Sequence, residues 1–360
     1  MWIRSLECRN FRNYEYVKLE PDPGINIITG ENAQGKTNLL EAIYLAGTAK
    51  SHRAGRDREM IRFGEPEAHI RLEVMRGESP YRIDIHLKRS GSKGIAVGGI
   101  PIRRTSELYG VVNVVFFSPE DLSLIKDAPA KRRTFCDMEL CQLSAIYVDN
   151  LIHYNKAVMQ RNALLKEIGF RKDYEAMLPA WEEQLVRYGK PLIAARREFV
   201  EELSQLVEPI HRKLTGGRET IAVTYEPNVG ENEFADRLFM SGENDRRAGT
   251  TTCGPHRDDI GFTVDGIDIR HYGSQGQQRT AALSLKLAEI DLVRRRTGQT
   301  PILLLDDVLS ELDASRQNHL MESISDVQTL ITCTGLDEFV KNRFPTDKVF
   351  EVTAGTVTVR

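Results

Sequence analysis

The sequence predicts an α/β nucleotide-binding fold: a mixed sheet assembled from both ends of the chain, with a mainly α-helical lobe inserted between them. Three observations carry this expectation. Residues Gly30-Glu31-Asn32-Ala33-Gln34-Gly35-Lys36-Thr37 read G-x-x-x-x-G-K-T. The apolar run Pro301 to Leu305 ends in Asp306-Asp307. The two motifs stand 270 positions apart, from Lys36 to Asp306. A compact nucleotide domain of ~100–200 residues normally holds both motifs, so the stretch between them reads as an insertion.

The glycine-rich motif has the flanks that its chemistry needs. Ile25 to Thr29 is a β-branched run suited to a strand. Asn38 to Gly47 places Leu39, Leu40, Ile43 and Tyr44 at helical spacing, with Gly47 as the expected C-cap. A strand, a tight turn and a helix N-terminus present a nest of backbone N–H groups at the positive end of a helix, which binds anions. Gly30, Glu31, Asn32, Ala33, Gln34, Gly35, Lys36, Thr37 and Asn38 are therefore the expected nucleotide contacts. Lys36 reaches the β- and γ-phosphates, and the Thr37 hydroxyl holds Mg²⁺. A plain Gly-rich turn opening a helix is the bland alternative. For the twin aspartates, the chemistry assigns Asp306 to Mg²⁺ and Asp307 to orienting or deprotonating the attacking water; the bland alternative is a strand running into a turn. The two motifs together favour phosphate chemistry.

Composition bounds the rest. Over 360 residues, 41% hydrophobic and 28% charged residues are ordinary for a globular protein. The net charge of −3 gives no global basic field, so nucleic acid, if bound, meets a local patch. Five scattered cysteines form no C-x-x-C pair, which fits a reducing, cytoplasmic setting. Cys136 and Cys141 with His153 match no zinc spacing and read as small apolar residues of a helical core. Neither an apolar leader nor a stretch of 18 apolar residues occurs, so no membrane association is expected.

Along the chain, residues 1 to about 30 read as three strands. Alternating residues over 68–75 and 81–88 add two more, with turns at Gly77 to Pro80 and Ser90 to Gly94. Val111 to Phe117 reads as a buried strand, and all of these are expected in one mixed sheet beside the glycine-rich loop. From about Pro129 the periodicity turns helical, over 131–140, 144–168, 173–188 and 191–214, with Pro179 and Pro191 in a first turn or at a break. Residues 227–250 read as a mobile connection. The sheet resumes at Ile260 to Val264 and continues through the twin-aspartate strand, Thr329 to Cys333, and a hairpin turning at Gly355.

A third element points to a family. Ser274-Gln275-Gly276-Gln277-Gln278, before a long helical pattern, resembles the signature of ABC-type ATPases, and Ser310-Glu311-Leu312-Asp313 resembles their D-loop. The arrangement looks like the heads of SMC and Rad50 proteins, without the heptads of a coiled-coil arm. The nearer resemblance is to the RecF family. It rests on Asn10-Phe11-Arg12-Asn13-Tyr14, Ser51-His52-Arg53, Phe117-Ser118-Pro119-Glu120-Asp121-Leu122 and Gly254-Pro255-His256-Arg257-Asp258-Asp259, in that order along the chain.

The resemblance implies an ABC-type P-loop ATPase head. Its two parts would be residues 1–128 and 251–360, around an inserted helical lobe at 129–250, with ATP and Mg²⁺ as cofactors. Lys36, Asp306 and Asp307 would be the catalytic residues, with Thr37 and Asp306 on the metal. Ser274, Gly276, Gln277 and Asp313 would cap the ATP of a second subunit, and Arg12 and Arg53 would meet the nucleotide. Arg9 is a further candidate, and Arg56 and Arg58 rival Arg53.

The implied function is an ATP-dependent clamp on double-stranded, gapped or junction DNA. It would dimerise on ATP, hydrolyse it slowly, and help RecR and RecO to place RecA on coated single strands. Basic groups at Arg103-Arg104, Lys131-Arg132-Arg133, Arg196-Arg197 and Arg294-Arg295-Arg296 read as solvated helix faces, or as a phosphate-tracking groove where they converge.

Three departures from the wider superfamily stand out. Ser118 to Asp121 carries no Gln for the loop that senses metal and water. The second carboxylate is Asp307 rather than Glu. Thr332-Cys333-Thr334 stands where many transporter ATPases place a His. A transporter-type ABC ATPase subunit is therefore the second reading, and a metabolite kinase the third.

Overall fold

The structure, a computed structural model, describes residues 1–167, 172–334 and 346–360. In chain order the strands are β1 (Trp2–Phe11), β2 (Tyr14–Leu19), β3 (Ile25–Thr29), β4 (Glu67–Arg76), β5 (Ser79–Lys88), β6 (Gly94–Val97), β7 (Ile100–Pro101) and β8 (Val114–Phe117). They continue with β9 (Ile221–Glu226), β10 (Asp259–Val264), β11 (Ile267–Asp268), β12 (Ile302–Asp306), β13 (Thr329–Cys333), β14 (Lys348–Thr353) and β15 (Thr356–Val359). The helices are α1 (Lys36–Thr48), α2 (Leu122–Lys126), α3 (Pro129–Leu143), α4 (Ala145–Glu167), α5 (Leu178–Leu214), α6 (Phe234–Met240), α7 (Gly242–Ala248), α8 (Gln275–Thr297) and α9 (Ala314–Ser323). No described helix is long and apolar enough to cross a membrane.

Two compact units share the chain: Met1–Asp121, Lys213–Gly216 and Ala282–Arg360 in one, Leu122–Arg212 and Gly217–Ala281 in the other. Residues 251–281, grouped above with the head, pack within the second unit.

In the first unit the strands form two sheets rather than the single sheet expected at its N-terminal end. The order β15-β14-β3-β13-β12-β8 is parallel from β14 to β8, with β15 antiparallel at the edge. A separate antiparallel sheet runs β2-β1-β4-β5-β6-β7. The division follows burial. All five residues of β3 are buried, as suits a parallel strand covered on both faces. In β4, by contrast, Ala68, Ile70, Leu72 and Val74 are buried while Glu67, His69 and Arg71 point away, the period of a half-buried strand.

Helix α1 touches strands of both sheets and shares their core, through Leu39, Leu40 and Ile43. A helix covered on two sides is buried almost all round, which accounts for Gly47. That residue is not the expected C-cap: a Cβ there would lie 2.8 Å from Val114 Cγ2. Gly47 instead permits close helix–sheet approach, and Ala49, in the left-handed region, closes the helix.

The second unit is mainly helical but carries its own three-stranded sheet, β11-β10-β9. The expectation that Ile260 to Val264 returns to the central sheet is thereby corrected: β10 pairs with β9 and β11. The expected break at Pro191 is also absent. α5 runs unbroken through Pro191 and Pro209. A proline removes one backbone hydrogen bond, and burial of Leu185, Leu192, Phe199, Leu203 and Val207 along one stripe outweighs that loss. Residue 168, the expected end of α4, lies outside the described residues.

Residues 227–250 are not a mobile connection, because α6 and α7 occupy them. Asp245 on α7 is fully buried and pairs with the equally buried Arg161 at 2.7 Å. The same logic overturns two of the expected solvated basic faces. Arg132 and Arg196 are each 3% exposed. Arg132 forks onto Asp259 at 2.6 and 3.0 Å, and Arg196 bridges Asp137 and Asp258. Buried charges persist when paired and hydrogen-bonded. The Gly254 to Asp259 segment, whose role the sequence leaves open, is the hub of this polar core. Asp258 also accepts from Asn228 N–H and the Tyr225 hydroxyl, while His256 joins the Tyr154 hydroxyl and Thr251 O. All five cysteines are buried, and none is in a disulfide.

Candidate nucleotide-binding site

The glycine-rich loop links β3 to α1, and its backbone requires the residues it has. Gly30, Ala33 and Gly35 have φ of 151°, 63° and 118°. A Cβ at Gly30 would lie 2.3 Å from Val352 O, and one at Gly35 2.5 Å from Asn13 Nδ2. Only glycine fits these two positions. The loop is tied from outside: Asn13 Nδ2 donates to Gln34 O at 2.7 Å and the Tyr14 hydroxyl to Gly35 O at 3.0 Å. Asn38 Nδ2 donates to Asn13 Oδ1, and Ala354 N–H to Gln34 Oε1. Lys36 Nζ donates to Gly30 O and Glu31 O at 2.7 and 2.8 Å, so its ammonium lies along the loop. Burial lowers its pKa, partly offset by Asp307 and Asp306.

The second motif meets the first directly. Asp306 ends β12 beside β13, and its Oδ1 accepts from the Thr37 hydroxyl at 2.8 Å and the Thr332 hydroxyl at 2.7 Å. Asp307 N–H donates to Thr332 Oγ1 at 2.9 Å. Asp307 itself sits at φ 54°, a conformation costing of order 1 kcal/mol or more that recurs at functional sites. Thr332 thus ties the Asp306 carboxylate to the Asp307 backbone. Sequence reading noted it only as a residue standing where transporters carry His; its place on β13, next to β12, is what reveals it.

A second residue missed in the sequence is Glu41. It points from α1, fully buried, and accepts from Arg12 Nε and Nη2 at 2.7 and 2.6 Å, from Arg53 Nη2 at 2.9 Å and from the Ser51 hydroxyl. Burial alone would raise its pKa, but Arg12, Ser51 and Arg53 together hold it at about 2. Arg53 also donates to Asn38 Oδ1 at 2.7 Å. The two arginines singled out in the sequence are therefore brought together by one carboxylate. They line an open cleft of about 700 Å³ with Asn13, Asn38, Arg58 and the exposed Phe63. Arg58, a rival to Arg53, shares that cleft.

His52 lies beside this group. Its ring stacks on Phe116 at 4.2 Å and meets Tyr44 edge-on. Both ring nitrogens are shielded from solvent and have no hydrogen-bond partner. Burial lowers its pKa to about 4, against Glu41 and Asp306, which act in the opposite direction. The residues fit a magnesium nucleotide: a nest that a Cβ would fill, a paired hydroxyl and carboxylate of the hard-oxygen type that Mg²⁺ takes, and an orphaned imidazole nearby.

These shifts set an acid response. His52 titrates below its ordinary value of 6.5 in the folded chain, so the unfolded chain takes up its proton first. Its contribution is complete above pH 6.5 and is lost as pH falls towards 4, at roughly 3 kcal/mol in full. Glu41, held below its ordinary 4.5, contributes above that value and is lost as pH falls through 2. Unfolding temperature is expected to drop between pH 6.5 and 4, and less so in His52→Phe, which keeps the stacking ring. An unchanged pH slope in that variant refutes the assignment.

The remaining expected residues lie elsewhere. Ser274 precedes α8 in the second unit, and Ser274 Oγ accepts Gln277 N–H at 3.2 Å while Ser274 N–H donates to Gln277 Oε1 at 3.0 Å. This reciprocal pair is a capping box. Gln277 Nε2 further donates to Glu219, and a Cβ at Gly276 would meet nothing nearer than Ser274 Oγ at 3.9 Å. Ser274 is exposed, and the capping box takes up its own N–H and that of Gln277. Asp313 caps α9, accepting Arg316 N–H at 3.0 Å and pairing with the Arg316 guanidinium at 2.7 Å. In this chain its carboxylate is occupied by those contacts. At the segment that lacks Gln, Asp121 accepts Ser118 N–H at 2.7 Å, leaving Glu120 exposed.

Known proteins place this geometry in a family. The RecF/RecN/SMC N terminal domain matches residues 2–358. The "DNA replication and repair protein RecF" of Agathobacter rectalis is 57% identical over 359 residues, covering 100% of this chain and 99% of that protein. A solved structure of the recombination mediator protein RecF with ATP, in the RecFOR pathway, superposes with a TM-score of 0.93 at 34% identity, covering 100% of this chain and 97% of that one. An Smc head bound to the C-winged helix domain of ScpA gives 0.57 at 18% identity, a likeness of fold. The chain, an ABC-type ATPase head with its phosphate loop bonded to its twin-aspartate strand, belongs to the RecF family.

Proposed function

We propose that the chain is an ATP-dependent DNA-binding clamp of recombinational repair and replication. It closes as a homodimer on gapped or junction DNA, opens on slow hydrolysis, and acts in the cytoplasm with RecR and RecO to help load RecA. The observation that carries this reading is the hydrogen-bonded chain Thr37–Asp306–Thr332, which joins two motifs from opposite ends of the sequence into one phosphate site. The RecF relatives supply the repair context.

Bound Mg–ATP would supply the electrophilic phosphorus and the charge that holds its oxygens. The chain's own residues do the rest. The loop N–H groups and Lys36 would bind phosphate oxygens, and Thr37 and Asp306 would hold the metal. Asp307, turned by its αL backbone and fixed through Thr332, accepts a proton from the attacking water. Arg12 and Arg53, held side by side by Glu41, present fork donors to the nucleotide. Ser274, Gly276 and Gln277, at a capped helix N-terminus, suit the γ-phosphate of a second subunit's nucleotide. A transporter role is disfavoured by Thr332, which ties the Asp306 carboxylate to the Asp307 backbone where a His would stand.

The test is DNA binding by fluorescence anisotropy, with and without ATP and across salt. Phosphate contacts release counterions, so affinity is expected to fall roughly ten-fold or more over a modest rise in salt. It is also expected to require ATP, and to lose that requirement's benefit in Lys36→Met. Equal affinity in every condition removes the clamp.

A further inference from the structure

We infer that the outer face of the antiparallel sheet carries a binding site for a borderline transition-metal dication of the zinc type, built from Glu67, His69 and His86. It is separate from the nucleotide site in both place and chemistry.

The strands dictate the cluster. Glu67 and His69 are two positions apart on β4, so they share a face. His69 is the direct cross-strand partner of His86 on β5. The alternate residues Ala68, Ile70 and Leu87 face the core, which puts the three polar side chains on the opposite surface. There the two imidazoles stack, with centroids 4.1 Å apart and planes at 19°. Both aim Nε2 at the same carboxylate: His69 at 3.3 Å from Oε1 and His86 at 2.8 Å from Oε2. One donor atom from each of the three residues lies within 4.8 Å of the others.

This convergence is unusual for a solvated face. Stacked imidazoles gain little from sharing one carboxylate, and each nitrogen must carry its proton to do so. A dication would take the place of both protons, with the rings opening from their stack until both nitrogen lone pairs point at it. Tetrahedral bonds of ~2.0–2.1 Å to nitrogen and oxygen put neighbouring ligand atoms about 3.3 Å apart, close to the 3.3 and 2.8 Å between the two imidazole nitrogens and the carboxylate. Two imidazoles and one carboxylate suit zinc, cobalt or nickel, whereas Mg²⁺ prefers oxygen ligands and keeps its waters. The site therefore discriminates against the ion expected at Thr37 and Asp306. Three protein ligands leave a position for water or a further donor, and the adjoining cleft of about 600 Å³, which Arg9 and Tyr16 also line, admits one.

The experiment is a zinc titration of the full chain against a chromophoric chelator, in excess MgCl₂. One zinc per chain is expected, weakened about ten-fold or more in His69→Ala and in His86→Ala, and weakened but retained in Glu67→Gln. Cobalt(II) bound in its place is expected to show d–d bands without thiolate charge transfer, since the five cysteines are buried. ATP binding by the His variants serves as the folding control, because none of the three residues belongs to the nucleotide site. The site is overturned if zinc does not bind, if the stoichiometry survives the His69→Ala/His86→Ala double variant, or if cobalt reports thiolate ligation.

Discussion

Asp307→Asn is expected to slow ATP hydrolysis by ~10²-fold or more while leaving the ATP-bound dimer intact. The substitution keeps the size of the side chain and removes the proposed base. Asn also tolerates the left-handed backbone found at position 307, so the loop that Thr332 holds should not shift. Ser274→Arg should behave in the opposite way, sparing nucleotide binding by the monomer and blocking dimerisation, because a bulky cation replaces the hydroxyl proposed to face a partner's γ-phosphate. Loss of the Ser274–Gln277 capping box would itself cost about 1 kcal/mol, and Ser274→Asn, which can still cap, separates that effect. Mixing Ser274→Arg with Lys36→Met subunits confines both lesions to one composite site and leaves the other intact, so partial dimerisation should return. Single-turnover hydrolysis and size measurement with ATP decide these points. A fully active Asp307→Asn enzyme, or a Ser274→Arg chain that dimerises normally, defeats the composite-site reading.

The largest stability effect is expected at Arg161, in the core of the second unit. Its guanidinium is fully buried and meets Asp245 at 2.7 Å, Thr251 Oγ1 at 3.0 Å and Glu182 at 2.8 Å. Arg161→Met leaves Asp245 charged, buried and without its counter-ion, which costs about 3–5 kcal/mol. Adding Asp245→Asn removes the stranded charge and should recover a large part of the loss, since a buried pair is often replaceable when both partners change. Urea unfolding followed by Trp181 fluorescence in a Trp2→Phe background reports on the second unit. Equal midpoints for the parent and Arg161→Met would show that water reaches Asp245 and the pair is not truly buried.

Much of the fold was legible because its signals are local. The β-branched run into Gly30, the glycines that alone tolerate the loop backbone, and the helical spacing after Thr37 each follow from residues a few positions apart. The twin aspartates at the end of an apolar run are equally local, and the order of the family's motifs along the chain supplied the architecture. The errors share a cause. Pro191, residues 227–250 and the strand at Ile260 were judged on propensity and composition, whereas burial decided each. α5 continues through Pro191 because its apolar stripe is covered. α6 and α7 form over a polar stretch because Asp245 finds Arg161. β10 joins β9 because that is the neighbouring strand in its unit.

The phosphate loop, the pair of carboxylates, the signature segment and the family are written in local sequence, since each is a short pattern whose residues are demanded by backbone geometry or charge. How distant residues share work emerges in the folded chain alone. Thr332 joins Asp306 and Asp307 because β13 lies beside β12, and Glu41 gathers Arg12 and Arg53 because α1 is buried between two sheets. Arg132 and Arg196, basic residues in a sequence, become core ion pairs because Asp258, Asp259 and Asp137 meet them in a low-dielectric interior. His69 and His86 meet over Glu67 because strand register sets them opposite one another. Such pairings depend on which surfaces exclude water and which strands become neighbours, and a charge in a buried site is tolerated only where its partner arrives from elsewhere in the chain.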